Sequence, residues 1–300
     1  MIVITGATGN TGRPAAETLL AKGEKIRVIG RDQSKLQSFA ARGAEAFAGE
    51  ADNADSMTAA FQGADAVYLV IPANMQMENF RAYQDRVSDA YAAAIKASGV
   101  KYALTLSSLG AQHPQGTGPI VGLYHLEQKL NSIGSLNVLH LRATGFMENL
   151  LSSIQPLRTM GTLPGPSPAD SPGPYIAARD IGIYAAGRLA ARDFSRSSVQ
   201  ELLGQRDYTM REAATIIGKA IGNPSLGYMQ VPLMMLEGAL ILMGFPKSSA
   251  VMMIELFKAQ NSGMLDAQEP RSPANTTPTT IEWFATEVFA PAYLGKTATA

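Results

Sequence analysis

The sequence predicts an α/β chain, a doubly wound parallel sheet (Rossmann arrangement) followed by a smaller, mostly helical C-terminal lobe. Three observations carry this expectation. Short apolar strands alternate with helical patterns through the first half. Unbroken apolar runs such as Ala66–Ile71 suit a parallel sheet covered on both faces. The first strand, Ile2-Val3-Ile4, runs into a turn with glycines at 6, 9 and 12, and the turn opens a helix.

In order, a helix is expected from Pro14 to Lys22, with proline where the first turn needs no N–H. Strand two is Ile26–Gly30, followed by a helix over Lys35–Arg42, a strand over Ala44–Ala48 and a helix over Asp55–Phe61. Strand four, Ala66–Ile71, stops at Pro72, and a long helix from Glu78 to Ser98 is stopped by Gly99. Tyr102–Leu109 and Val138–Ala143 are strands five and six. Leu163–Pro174 holds five prolines and two glycines and reads either as a solvated linker or as a loop over a ligand cleft. Tyr175–Ile181 and Val199–Leu203 read as returning strands. Thr209 with Glu212 forms a capping box, and the helix it starts ends at Gly222. The remainder is helical and rich in methionine (Met234, Met235, Met243, Met252, Met253), as core, adaptable pocket or subunit contact. Asn261–Pro278 is a polar loop and Thr280–Phe289 a last helix.

Composition excludes several classes. Lys plus Arg equals Asp plus Glu at 25 each, so no general attraction to nucleic acid or acidic membranes is expected. With no cysteine, disulfides, thiolate zinc sites and cysteine nucleophiles are excluded. The most apolar stretch, Val231–Phe245, contains Glu237 and is shorter than the ~20 residues of a bilayer span. No signal peptide is visible, which fits the cytoplasm.

The glycine turn reads as a dinucleotide fingerprint, the alternative being a plain glycine-rich βα turn. Gly6 allows the tight turn, Gly9 lets a pyrophosphate approach the backbone, and Gly12 lets the helix pack against the strand. The phosphates then sit on the helix N-terminus, beside Thr8, Asn10 and Thr11. At the end of strand two stand Gly30 and Arg31, where an NAD site usually has an acid. Arg31 offers a fork for a 2′-phosphate, so its position favours NADP(H); Asp32 next to it leaves NAD open, and Lys35 and Arg13 are weaker phosphate candidates. Asp52 either reaches the adenine edge or caps the helix before Asp55-Ser56. Ile71, Pro72 and Ala73 border the crevice.

Ser107 and Ser108 end strand five, where a hydroxyl can face a substrate carbonyl. The usual tyrosine with lysine four residues later is missing: Tyr124 has Gln128 there, and Lys129 lies one position further on. Five residues turn about 140° around a helix, so Tyr124 and Lys129 share no face. With Leu123, Leu126, Leu130 and Ile133 as the buried stripe, Tyr124 and His125 lie off the core side. Either is a candidate proton donor, or both simply face water. His113 and His140 show no metal-ligand spacing, and His140, inside an apolar strand, reads as structural.

Several stretches resemble the NmrA-like family, an atypical branch of the extended short-chain dehydrogenases. They are Thr5–Gly12, Gly30-Arg31, Leu141–Asn149, Arg179-Asp180-Ile181, and the segment from Leu203 through Thr209 and Glu212 to Gly222. The resemblance covers about residues 1–235 and weakens in the methionine-rich region. It implies NADP(H) as cofactor and, as activity, either reduction of quinones, azo dyes or imines, or NADP sensing with little catalysis. It also implies that Phe146, Met147 and Asn149 approach the nicotinamide; alternatively they start and pack the next helix.

The expected organisation is a Rossmann domain over 1–150 with returning strands about 175–205, a substrate lobe over 151–174 and 206–294, and a disordered tail over 295–300. A small apolar substrate is expected, with no nucleic acid or membrane partner, for a monomer or homodimer.

Overall fold

A computed structural model describes residues 1–296. Its centre is a seven-stranded sheet in the order β10-β6-β5-β4-β1-β2-β3. The strands are β1 (Ile2–Ile4), β2 (Ile26–Gly30), β3 (Glu45–Ala48), β4 (Ala66–Leu69), β5 (Tyr102–Ser108), β6 (Asn137–Ala143) and β10 (Ser197–Leu202). Every pairing in this sheet is parallel. Chain order reverses between β1 and β4, which creates a crevice at the carboxyl ends of these strands.

Helices cover both faces because strand residues alternate. Leu104, Leu139 and Leu141 face α1 (Gly12–Ala21), α2 (Gln33–Ala40) and α7 (Ala178–Ala191). Val67, Ala103 and Val138 face α3 (Ala54–Phe61), α4 (Phe80–Ser98) and α5 (Val121–Asn131). Gly99 takes φ +71 and ends α4, as expected of a helix-stopping glycine.

The second half departs from the sequence expectation at one place that matters. Tyr175–Ile181 is not a strand throughout. β9 (Gly173–Ile176) joins a small sheet with β7 (Gly145–Phe146) and β11 (Asp207–Tyr208), and α7 begins at Ala178. Glu148 decides the switch: both its carboxylate oxygens accept the Ala178 N–H at 3.0 Å, satisfying a donor that the helix start leaves free. Ile181, Ala185, Ala186 and Leu189 then bury one helical face. A Cβ at Gly182 would lie 2.3 Å from the Thr11 carbonyl oxygen, so α7 sits close against α1.

A separate core joins α6 (Ile154–Met160), β8 (Leu163–Gly165), α8 (Met210–Ala220) and α11 (Ile281–Phe284). Thr209 caps α8 by accepting the Glu212 N–H at 3.1 Å, but the Glu212 carboxylate pairs with Arg206 instead of closing the box. Residues 163–174 are no solvated linker. β8 pairs with β12 (Tyr228–Gln230), Ser167 O accepts the Tyr228 hydroxyl at 2.7 Å, and Asp170 holds Arg211. Last come α9 (Leu233–Leu242) and α10 (Lys247–Asn261). The methionines are largely not core: Met234, Met235 and Met243 are 85%, 64% and 59% exposed. Gly295 and Lys296 close a turn, with the Lys296 N–H on Pro291 O at 2.9 Å; the rest of the expected disordered tail, 297–300, lies outside the described residues. No helix among the described residues is long and apolar enough to cross a membrane.

Candidate functional site

The turn after β1 is tied to the reversal point of the sheet. Thr5 Oγ donates to Tyr68 O and accepts the Val70 N–H, both at 2.9 Å. Gly6 has φ +61, which a side chain would strain. The Gly9 N–H closes the turn on Gly6 O at 2.9 Å. A Cβ at Gly12 would lie 2.2 Å from Gly6 O, a backbone clash that nothing flexible can relieve. Gly9 and Asn10 are exposed, Thr8 is half-buried, and the Thr11 side chain makes no capping bond. The N-terminus of α1 therefore opens on the crevice without a side-chain cap, where free N–H groups and the helix dipole favour an anion. These residues fit a dinucleotide's diphosphate: Gly9 leaves exposed backbone without a side chain, between the hydroxyl of Thr8 and the amide of Asn10.

Beside the loop, a cavity of about 160 Å³ lies at the ends of β2, β3 and β4. Arg31, Glu50, Asp52, Pro72, Met77 and Tyr83 line it. Arg31, Asp52 and Pro72 are thus brought together from three sequence-distant strand ends. Asp32 caps α2, its Oδ1 accepting the Ser34 N–H at 2.9 Å and the Ser34 hydroxyl at 2.6 Å. Those bonds hold its carboxyl below the usual range. Asp52 does not cap α3; Asn53 does, accepting the Ser56 N–H at 2.9 Å. Asp52 instead receives Arg86 of α4. Burial, with the Asp52 carboxylate adding to it, raises the pKa of the Tyr83 hydroxyl.

Further along the sheet the expected polar groups are committed elsewhere. Ser107 is buried, and its hydroxyl donates to Glu127 Oε1 at 2.6 Å. Glu127 also takes Arg142 through two bonds, at 3.1 and 2.6 Å. Ser108 donates to Leu109 O at 3.0 Å. His125 is held against α4, with Nδ1 2.6 Å from Arg81 Nη2 and 3.1 Å from Asp85 Oδ1. Tyr124 is half-buried and meets the His125 ring edge-on, centroids 5.8 Å apart. His140 is wholly buried between Thr105 (2.8 Å) and Asn131 (2.9 Å), and burial pushes its pKa down to about 4. Phe146 ends β7, just beyond β6, half-buried against the same core as Ala7 and Val70.

The pattern of the NmrA-like family matches residues 1–289. The chain belongs to this family. Quinone oxidoreductase 2 of Escherichia coli K12 is 28% identical over 287 residues, covering 93% of this chain and 95% of that protein. The NAD(P)H azoreductase of Xenophilus azovorans is 27% identical over 259 residues, 86% of each chain. The solved structure of an NADPH-dependent quinone oxidoreductase from E. coli, complexed with NADPH, superposes with a TM-score of 0.79. It is 25% identical, with 96% of this chain and 100% of that chain covered. The homologues are thus NAD(P)H-dependent reductases.

Within the NmrA-like pattern, the stretch Leu141–Asn149 is largely architectural here. Arg142 neutralises Glu127, Thr144 Oγ donates to Pro174 O at 2.8 Å, Met147 is buried, and Glu148 starts α7. Asp180 clasps Thr279 through its N–H and hydroxyl at 2.9 and 2.7 Å, which joins α7 to the C-terminal segment. Sequence reasoning missed Glu127, Tyr83 and Arg86. Glu127 carried a weak signal, a charge at a sheet-facing helical position. Tyr83 and Arg86 carried none, because nothing local says that α4 reaches the end of β3.

Proposed function

We propose that the chain binds NADP(H) and reduces an apolar, conjugated acceptor of quinone, dye or imine type. The observation that carries this reading is the end of β2, where Asp32 caps α2 and Arg31 supplies a positive charge to the cavity wall, beside the acidic Glu50 and Asp52. In this reading Gly6, Thr8, Gly9, Asn10, Thr11 and Gly12 cradle the diphosphate, Arg31 takes the 2′-phosphate, and Asp52 and Pro72 flank the adenine. Phe146 borders the nicotinamide end, and Ser107 holds β5 to α5 through Glu127. When bound, NADPH supplies the hydride. The chain's own residues supply position and exclusion of water. A quinone spreads incoming charge over its π-system, so orientation contributes much of the rate without a fixed acid. Tyr124 remains the side chain to test as proton donor; His125, engaged by Arg81 and Asp85, ranks behind it. The names of the reductase relatives support the reading.

The test is a panel of acceptors followed at the NADPH absorbance band. Turnover is expected with quinones, dyes or imines, little or none with simple ketones, and at most a modest loss in Tyr124→Phe. Tight NADPH binding by folded protein with no turnover on any of these would overturn the reductase reading. A second reading, NADP(H) sensing with little catalysis, draws on the exposed apolar surface of α9, where Met234 and Leu242 are 85% and 90% exposed. Cofactor-dependent binding to a macromolecule would favour it.

A further inference from the structure

We infer that Arg86 is a positioning residue for the purine of the bound dinucleotide: it fixes Asp52 so that one carboxylate oxygen is left to accept an exocyclic amino group. The inference rests on the cofactor reading above and adds a residue that neither the glycine loop nor the strand-end pattern points to.

Asp52 has no duty to the backbone. The cap of α3 is Asn53, so the carboxylate next to it is free for another role. Arg86 Nε and Nη2 both lie 3.2 Å from the same oxygen, Asp52 Oδ2. Among the described residues Oδ1 takes no hydrogen bond, and Asp52 lines the cavity beside Arg31. The guanidinium is itself held, its carbon 5.7 Å from the centre of the buried Tyr83 ring. Tyr83 and Arg86 are three residues apart on α4 and so share a face, which one helix presents to the end of β3.

The chemistry follows from the donor and acceptor sets. An isolated carboxylate on a short loop would sample several rotamers. A planar guanidinium on one oxygen removes that freedom, which is the advantage of Arg over Lys at such a place. The remaining oxygen can only accept, so it favours an amino group and opposes a carbonyl oxygen. The wall therefore distinguishes adenine, with its 6-amino group, from hypoxanthine, with its 6-keto group. Arg86 touches neither the phosphates nor the reacting carbon. Its removal should act on the base alone.

The experiment measures the affinities of NADPH and its 6-deamino analogue by isothermal titration, for the parent, Arg86→Gln and Arg86→Lys. The parent should prefer NADPH by roughly tenfold, the size of one charge-assisted hydrogen bond at a partly open site. In Arg86→Gln the preference should shrink to about one- to threefold, chiefly by weaker NADPH binding. Arg86→Lys should restore only part of it, and thermal melts check that each variant is folded. A merely structural role would weaken both dinucleotides equally and leave their ratio untouched, and that result overturns the inference. So does an unchanged ratio at unchanged affinity, or a parent that binds both analogues equally well. Failure of the parent to bind either dinucleotide would instead remove the cofactor reading, and this inference with it.

Discussion

Replacing Arg31 by Ala separates the two nicotinamide cofactors at one residue. Arg31 is exposed at the end of β2 and lines the cavity. Its neighbour Asp32 caps α2, with two hydrogen bonds from Ser34 on Oδ1. The loss should therefore fall on the 2′-phosphate alone. A charge-assisted hydrogen bond contributes about 1.5–3 kcal/mol, and exposure to solvent places Arg31 at the lower end. NADPH affinity should fall about tenfold while NADH affinity stays nearly unchanged. Lys35, in the first turn of α2, keeps some positive charge nearby, so binding is weakened and not abolished. Isothermal titration at low and high salt checks both points, because the contribution of an exposed pair shrinks as salt is added. Equal affinity of the parent for both cofactors, or an equal loss for both in Arg31→Ala, would refute the reasoning.

Gly9→Val places a branched side chain on the exposed glycine turn; its Cβ would lie 3.2 Å from Gly6 O, a tight contact, so a thermal melt first checks the fold. NADPH binding should be strongly impaired in a folded protein, and undiminished affinity by titration would move the phosphates elsewhere. Glu127→Ala leaves the Arg142 guanidinium without its partner and the Ser107 hydroxyl without an acceptor, which should cost about 3–5 kcal/mol by urea denaturation; a cost below about 1 kcal/mol would show the pair to be solvated in solution. His140 makes stability depend on pH. Its folded pKa of about 4 lies below the ordinary 6.5, so the unfolded chain binds the proton first as pH falls. Its contribution is complete above pH 6.5 and is lost progressively down to about pH 4, roughly 3 kcal/mol at most. Denaturation midpoints of the parent and His140→Gln across that window should converge toward acid pH, and parallel curves would contradict the burial.

The sheet was legible because its signals are local. Unbroken apolar runs identify β1 and β4, largely apolar ones β2 and β6, and strand ends differ from expectation by at most two residues. The glycine turn was legible for the same reason: positive φ at Gly6 disfavours any side chain and the backbone contact at Gly12 leaves no room for one, so the need is written into the chain. Tyr175–Ile181 was misread because a short apolar run is ambiguous between strand and helix. What breaks the tie is Glu148, thirty residues earlier, whose carboxylate starts α7.

What the sequence alone determined was the α/β alternation, the glycine-rich turn after β1 and the absence of a Tyr–Lys pair, all properties of residues near one another in the chain. Only the tertiary structure decided the fate of each polar side chain. It turned Ser107 toward Glu127, His125 toward Arg81 and Asp85, Asp32 into a cap and Asp52 toward Arg86. Each carried a functional expectation from its place in the sequence. A hydroxyl, imidazole or carboxylate bonds to whichever partner packing brings within about 3 Å, and that partner comes from another strand or helix as often as from the next turn.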